Sequence, residues 1–228
     1  MSTLFSYCIP YDDGAAPNPF WGLCTLAICK PCIRRSANVG DWVVGTGSAL
    51  SPIGDISDKV VYAMLVTQKM TMADYDRFTW SKLSRKIPLM TSTDPRRRAG
   101  DSIYDFSTST TPLRPSVHGE GNKETDLSGK CVLLSDHFFY FGDRPVALPE
   151  ELLGIVKQGQ GHRSHANESY VNDFIHWIHS LGYPPATPVG APQLEIAAES
   201  PSSVCGPRDR KEDETDLEEY DSPPSNRC

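Results

Sequence analysis

Residues 12–48 read DDGAAPNPFWGLCTLAICKPCIRRSANVGDWVVGTGS and contain two apolar, β-favouring runs, each followed by polar or glycine-rich residues. The first run leads to Cys29 and Lys30, and the second leads to a Gly-Thr-Gly-Ser motif that ends at Ser48. Backbone amides freed by such glycines, with hydroxyls and a cation nearby, can hold a phosphate or a developing oxyanion. The stretch therefore predicts two strands whose ends carry a polar site.

Cys29 is the strongest candidate nucleophile in this stretch. Lys30 and Arg34 lie close to it in sequence, and nearby cations favour the reactive thiolate form of a cysteine. A nucleophilic thiol also needs a base and a group that orients the base. The side chains that the sequence offers for these roles are Asp12, Asp41, Asp136 and His162. The candidate catalytic residues are Cys29, Asp41 and Asp136.

The cysteines also fit metal-binding patterns. The spacing Cys-x4-Cys-x2-Cys from Cys24 to Cys32 is that of a plant-type iron–sulfur loop, with Cys131 as a distant fourth ligand. A zinc site from these cysteines and a histidine is a second alternative. The residues inside the spacing read as a buried strand, and Pro31 removes an amide donor that a cluster would need. We therefore predict buried thiols, with no metal and no cofactor.

Outward from this stretch, the chain alternates short strands with a few helices. Strands are predicted at residues 4–9, at 59–67 (KVVYAMLVT), and at 131–135 with 138–141. The apolar residues of 167–181 share one face of a helix, which is typical of a packing helix. The pattern predicts an α+β domain built on a small mixed or antiparallel sheet, or on a partly open β-barrel, with a few packing helices.

The domain is expected to end at residue 183. Within it, residues 91–129 are dominated by Ser, Thr, Pro, Gly and charged residues, which predicts a functional or mobile insert. Residues 184–228 are rich in Pro, Ser and acidic residues and have no apolar periodicity, so we expect a disordered acidic tail.

Net charge, cysteine number and hydropathy limit the expected binding partners and the expected cellular compartment. Without residues 191–228 the chain has 19 acidic and 18 basic residues, so it lacks the basic excess that is typical of proteins bound to long DNA. No apolar run is long enough to span a membrane, and the odd number of cysteines fits reduced thiols. We therefore expect a soluble cytoplasmic protein with no membrane partner.

Several motifs match a known family. They are Ala16-Pro17-Asn18-Pro19-Phe20, Cys24-Thr25-Leu26-Ala27, Cys29-Lys30-Pro31-x-Ile33-Arg34, Gly40-Asp41-Trp42, Gly45-Thr46-Gly47-Ser48, Tyr62-Ala63-Met64, Gly100-Asp101-x-Ile103-Tyr104, Leu134-Ser135-Asp136 and Gly159-x-Gly161-His162. With them, residues 4–180 resemble the second nucleotide-modification-associated domain family of bacteria and phages. The family name records an association with modified bases in DNA and no established reaction.

The resemblance implies a site for a nucleotide or a nucleic-acid base, in the context of DNA base hypermodification. The polar positions of its motifs are Asn18, Cys29, Lys30, Arg34, Asp41, Asp101, Ser135, Asp136 and His162. Together with the glycine-rich exit and the aromatic residues, the substrate-binding candidates are Asn18, Lys30, Arg34, Thr46, Ser48, Asp101, Tyr104, Ser135, Tyr140 and His162.

The strand pattern is also similar to that of the pseudouridine-synthase-and-archaeosine-transglycosylase-like barrels, several of which read modified bases. In such a pocket an aromatic side chain holds a flipped base by stacking. The aromatic candidates for this contact are Trp42, Tyr104, Phe139 and Tyr140.

Three functions remain open from the sequence. The first is a nucleotide- or base-modifying enzyme that uses the Cys29 region. The second is a non-catalytic reader of modified bases, in which arginines hold phosphates and DNA is a partner. The third is a regulatory or scaffolding domain without a small ligand. The sequence determines neither the substrate nor the oligomeric state.

Overall fold

A computed structural model describes residues 2–198, and two β-sheets organise them. The larger sheet contains β1 (Leu4–Cys8), β3 (Trp42–Thr46), β4 (Lys59–Leu65) and β7 (His137–Tyr140) in that spatial order, with the short β8 (Val146–Ala147) pairing with β4. The smaller sheet contains β2 (Cys24–Leu26), β6 (Cys131–Ser135) and β5 (Gln68–Thr71), again in spatial order.

Strand direction makes the larger sheet mixed. β1 runs parallel to β3, with Leu4 opposite Trp42, whereas the other strand pairs of this sheet are antiparallel. All pairs of the smaller sheet are antiparallel. The predicted α+β fold on a small mixed sheet is confirmed, and the strands do not close into a barrel.

Helices connect and cover the two sheets. They are α1 (Pro31–Ser36), α2 (Met72–Lys82), α3 (Pro95–Arg98), α4 (Lys123–Ser128) and α5 (Val171–Ser180). Short 3₁₀ helices lie at Ser84–Lys86, Glu120–Asn122, Glu150–Ile155 and His165–Tyr170. No helix among residues 2–198 has the length and apolar character needed to cross a membrane.

The predicted packing helix covers one face of the larger sheet. Its residues Val171, Phe174 and Ile178 are buried, and the ring of Phe174 meets that of Trp42 edge-on at 6.0 Å. Trp42 of β3 in turn stacks across β4 on Phe139 of β7. Burial of such side chains contributes roughly 1.5–3 kcal/mol each, which holds the helix on the sheet.

The segment after residue 183 continues the domain. The amides of Ala186 and Val189 donate to carbonyls of β7, and the amide of Leu194 donates to the carbonyl of Asp12. These bonds cover the outer edge of β7, which would otherwise expose unpaired backbone groups. The proline-rich segment after the expected boundary at residue 183 thus gains its order from a strand edge rather than from apolar periodicity. The part of the predicted tail from residue 199 onward lies outside the described residues.

The predicted insert, residues 91–129, is built into the domain. Ile103, Tyr104 and Val117 are buried in the same apolar cluster as Ala27 of the smaller sheet's connection. This packing places α4, at the end of the segment, beside α1. The segment therefore contributes directly to the surroundings of Cys29.

Candidate functional site

Cys29 lies in the short turn that joins β2 to α1. Cys29 has φ 58° and Lys30 has φ 40°, and Pro31 then begins the helix. Non-glycine residues in this left-handed region cost about 1–3 kcal/mol each and are common at functional sites. A strained strand-to-helix turn is also how nucleophile elbows present their reactive side chain.

The thiol of Cys29 begins a three-residue array. Its Sγ lies 3.5 Å from Nε2 of His118, and Nδ1 of His118 lies 2.5 Å from Oδ2 of Asp126. The other carboxylate oxygen of Asp126 accepts the backbone N–H of Cys29 at 2.8 Å. All three side chains are at most 8% exposed. A thiol, an imidazole and a carboxylate thus stand in the order that nucleophilic catalysis requires.

The charges in this array support one another. Burial alone would lower the pKa of His118, but the anionic forms of Cys29 and Asp126 raise it to about 10. Burial would raise the pKa of Asp126, yet His118 and Arg34 hold it below its ordinary value. The raised pKa favours the cationic form of His118, and a cation beside a thiol favours the thiolate.

Arg34 fixes the backbone around this array. Its side chain is fully buried and donates to three carbonyl oxygens, those of Cys29 at 2.7 Å, Asp126 at 2.6 Å and Cys131 at 3.0 Å. Gly129 makes room for it, because a Cβ there would overlap Cζ of the guanidinium. Arg34, predicted to bind substrate, instead positions the turn of Cys29 against α4.

Tyr104 completes the array from the same segment as His118. Its hydroxyl donates to Oδ2 of Asp126 at 2.8 Å, so this carboxylate accepts three hydrogen bonds. The carboxylate raises the pKa of Tyr104 further than burial alone, which keeps the phenol protonated. A small cavity opens beside this phenol, lined by Ala27, Met72, Tyr75, Asp101, Ser102, Ile103, Tyr104 and Phe106.

Asn18 and Asp101 belong to a second buried network, centred on Lys86. The ammonium of Lys86 donates to Oδ1 of Asn18 at 2.6 Å and to the hydroxyl of Thr25 at 2.9 Å, and to two backbone carbonyls as well. Asp101 accepts from the hydroxyls of Thr25 and Tyr75. These two predicted substrate ligands are thus committed to partners inside the protein.

Asp41 and Asp136 lie away from the turn of Cys29. Asp41 accepts the amides of Thr3 and Asn38, and Asp136 follows β6 at an exposed turn, where Ser135 bonds both backbone groups of His137. Arg34 ties Cys29 to the opposite end of β6, and five residues separate these ends by about 13 Å. The structure therefore does not bring the predicted Asp41 and Asp136 to Cys29. Asp136 is at the far end of β6 because β2 and β6 are antiparallel, and Asp41 precedes β3 and is held by the amides of Thr3 and Asn38.

The other substrate-binding candidates lie on the larger sheet or beside it. Thr46 donates to the carbonyl of Tyr7, and Ser48 accepts the amide of Leu50 in a turn. The remaining contacts are from Tyr140 to Asp12 at 2.6 Å, from the His162 ring to that of Phe5 at 5.8 Å, and from the Lys30 ammonium to the ring of Tyr7 at 5.0 Å. Lys30 links this group to the array through its neighbour Cys29.

His118 and Asp126 are the functional side chains that the sequence-based prediction missed. Both belong to residues 91–129, which was predicted as a functional or mobile insert without assigned roles. A histidine and an acid eight positions apart in a polar segment give no periodic signal. Among the described residues, no group of three or more His, Cys, Asp and Glu side chains is arranged to hold a metal ion.

The family model described as nucleotide modification associated domain 2 matches residues 1–199. No curated protein and no solved structure matches the chain. The match spans both sheets, the turn of Cys29 and the segment that carries His118 and Asp126. The chain therefore belongs to the nucleotide modification associated domain 2 family.

Proposed function

We propose that this domain is an enzyme that uses a cysteine nucleophile to transfer an acyl group during nucleotide modification. Cys29 is the nucleophile, His118 is the general acid and base, and Asp126 orients the imidazole. The observation that carries the proposal is the continuous contact from the Cys29 thiol through both ring nitrogens of His118 to the Asp126 carboxylate. The family supplies the context of modified nucleotides.

The array supports a two-step reaction at the carbonyl carbon of an amide or ester on a nucleotide. The Cys29 thiolate forms an S–C bond, and collapse of the tetrahedral oxyanion breaks the bond to the leaving nitrogen or oxygen, which takes the proton of His118. Neutral His118 then removes a proton from water or an acceptor amine, which attacks the thioester. The C–S bond breaks and the thiolate and imidazolium are restored.

One feature sets this array apart from many cysteine hydrolases. The backbone N–H of Cys29 donates to Asp126 and so is not directed at a developing oxyanion. In exchange, the carboxylate holds both the base and the backbone of the nucleophile. The distance between Sγ and the imidazole therefore depends on Asp126 twice, which is a reason to expect strict dependence on this residue.

The reader alternative predicts arginines directed toward a ligand. Arg34 donates to three internal carbonyls, and buried Arg98 donates to carbonyls of Ile196 and Ser92. These two arginines are thus engaged in holding the fold. Their internal use supports the enzyme over a reader that grips phosphates with them.

Reactivity of the thiol tests the proposal without knowledge of the substrate. Iodoacetamide is added at pH 6 and the rate at each cysteine is followed by peptide mass spectrometry. We expect Cys29 to react faster than the half-buried Cys131, and His118→Ala to slow Cys29 alone. Equal rates at Cys29 and Cys131, or no effect of His118→Ala, would overturn the thiolate–imidazolium pair.

Turnover tests the reaction class. The protein is incubated with nucleotides that carry amide or ester substituents, and intact mass is recorded for a thioester adduct. We expect the adduct and product release with the native chain and with Cys131→Ser, and neither with Cys29→Ser. Turnover that persists in Cys29→Ser would show that another group is the nucleophile.

A further inference from the structure

Two arginines, Arg85 and Arg96, stack on the partly buried Trp21, and we name these three residues, with the neighbouring Arg97, the Trp21 patch. The guanidinium carbon of Arg85 lies 4.9 Å from the centre of the Trp21 ring, and that of Arg96 lies 5.0 Å from it. The three residues come from three separate segments of the chain. Guanidinium groups stacked on an indole are held in orientation by cation–π attraction while their N–H edges stay available.

Trp21 itself is held in an unfavourable state. Its φ is 67°, in the left-handed region, and its indole N–H is buried with no hydrogen-bond partner among the described residues. Strain retained at one side chain that organises two exposed cations indicates a selected surface rather than an incidental contact.

Two arginines of the patch stand next to a buried cation that anchors their segment. They are the exposed Arg85 and the half-buried Arg97, which also donates to the carbonyl of Ile87. Lys86, beside Arg85, donates to the carbonyls of Asn18 and Leu23, which lie on either side of Trp21. Arg98, beside Arg97, donates to the carbonyl of Ile196 at 2.5 Å. The patch is therefore a rigid arrangement of charges and not a set of independent side chains.

The charge of the patch is mostly uncompensated. Arg96 pairs with Asp94 at 2.8 Å, whereas Arg85 and Arg97 form no ion pair with any residue that the structure describes. The same surface segment adds the exposed Lys82. An excess of cations with fixed guanidinium planes matches the repeated phosphates of a nucleic-acid strand.

We infer that the Trp21 patch binds the phosphate backbone of a nucleic-acid strand, so that the substrate of this site is a base within a polynucleotide rather than a free nucleotide. This inference rests on the proposed function. Trp21 packs against the same apolar cluster as Cys29, and its loop leads directly into β2, which precedes the nucleophile. A nucleic-acid strand bound at the patch thus contacts a loop that packs on the same apolar cluster as Cys29.

Salt-dependent binding of an oligonucleotide tests the inference. A fluorescent 20-nucleotide single-stranded DNA is titrated with the Cys29→Ser chain by anisotropy across a salt series. Each lost phosphate contact is expected to lower the slope of log affinity against log salt by about 0.7. We expect this loss in Arg85→Ala and in Arg97→Ala. Arg144→Ala, an exposed arginine on the turn between β7 and β8, is the matched control and is expected to bind like its parent.

The outcomes separate this inference from the proposed function. No salt-dependent binding, or equal loss in Arg144→Ala and Arg85→Ala, overturns the patch. Competition by deoxythymidine monophosphate as strong as that by the oligonucleotide at equal phosphate concentration also overturns it. Iodoacetamide labelling of Cys29 is measured in Arg85→Ala in the native background, and unchanged labelling with lost DNA binding supports the patch independently of the nucleophile.

Discussion

Two buried networks of this domain have the same ingredients and different uses. In one, Tyr104 donates to Asp126, which faces the cations His118 and Arg34. In the other, Tyr75 donates to Asp101, and the cation is Lys86. Both are attached to the short segment from β2 to Cys29, and the small cavity lies between them.

The two networks differ in whether the proton of the buried cation can be transferred. The ammonium of Lys86 donates to four oxygen atoms, all of them inside the protein. The proton of His118 stands between a carboxylate and a thiol, so it can move when the thiol reacts. A buried charge with every donor fixed stabilises one structure, whereas a buried charge next to a nucleophile supports chemistry.

Removal of the base gives the largest expected effect. His118→Ala should lower the turnover of Cys29 by about 10²–10⁴-fold, the range of general acid–base catalysis. Lys86→Met should leave the rate per folded molecule unchanged. The measurement is the rate of product release, normalised to the fraction of folded protein from circular dichroism. An equal loss of rate in the two variants would abolish the distinction.

Removal of the fixed cation should instead act on stability. Lys86→Met leaves Asp101 buried without its cation and should cost about 3–5 kcal/mol in the free energy of unfolding. Urea denaturation of Lys86→Met and of the native chain measures the difference. The exposed Lys82→Met is the control and should change the free energy of unfolding by less than about 0.5 kcal/mol.

The substitution Gly129→Ala should disturb the packing around the buried guanidinium of Arg34. The added Cβ would lie 2.5 Å from both terminal guanidinium nitrogens, which are buried and cannot move away. Such overpacking costs about 1–3 kcal/mol, and we expect a parallel drop in Cys29 alkylation. Gly119→Ala is the control in the same segment, because no atom lies within 4 Å of the position that its Cβ would take. A neutral Gly129→Ala would show that Arg34 does not position the turn.

The two tyrosines give a matched pair of smaller changes. Tyr104→Phe and Tyr75→Phe each remove one hydrogen bond to a buried carboxylate, for which we expect about 1.5–3 kcal/mol lost in the free energy of unfolding. Only Tyr104→Phe should alter the pH dependence of Cys29 alkylation, since only Tyr104 contacts Asp126. Alkylation rates between pH 5 and 9 test this, and an equal shift in Tyr75→Phe would contradict it.

The pH dependence of stability should carry opposite signs in the two networks. The folded pKa of His118, about 10, lies above its unfolded value of about 6.5. Below about pH 8.5 the proton kept by His118 is matched by the proton that the Cys29 thiolate has lost, so the contribution of the pair is lost as pH rises from about 8.5 toward 10. Burial lowers the pKa of Lys86 to about 8, below its unfolded value of about 10.4, so stability rises between these pH values.

Two variants isolate these slopes. Each proton contributes at most about 1.4 kcal/mol per pH unit. His118→Gln should remove the fall in the free energy of unfolding between about pH 8.5 and 10, and Lys86→Met should remove the rise between about pH 8 and 10.4. Urea denaturation at half-unit pH steps measures both. Slopes of the same sign in the two variants would contradict the assignment.

The sequence predicts the strands better than their ends. Apolar runs locate β1, β3, β4, β6 and β7, because burial on a sheet demands them. It fails for the segment after residue 183, which has no apolar period and is ordered by backbone bonds to β7. Pairing at a strand edge depends on backbone geometry, which cannot be predicted from amino-acid composition.

The candidate site divides in the same way. Cys29 could be singled out because the strand, the cations and Pro31 are all local. Its partners could not, since Asp41 and Asp136 are as acidic as Asp126 and only strand direction decides which carboxylate faces the thiol. Arg34 was identified as important for its charge, whereas its use is as a donor to three carbonyls.

The separation of the array along the chain has a consequence for biogenesis. His118 is 89 residues after Cys29, and Asp126 is 97 residues after it. Contacts between residues so far apart in the sequence form late in folding, because a long loop must first close at a cost in conformational entropy. During synthesis the thiol emerges well before its base, so an unfinished chain holds an ordinary cysteine. Under the proposed function, the Cys29 thiol is therefore activated only after the domain has folded.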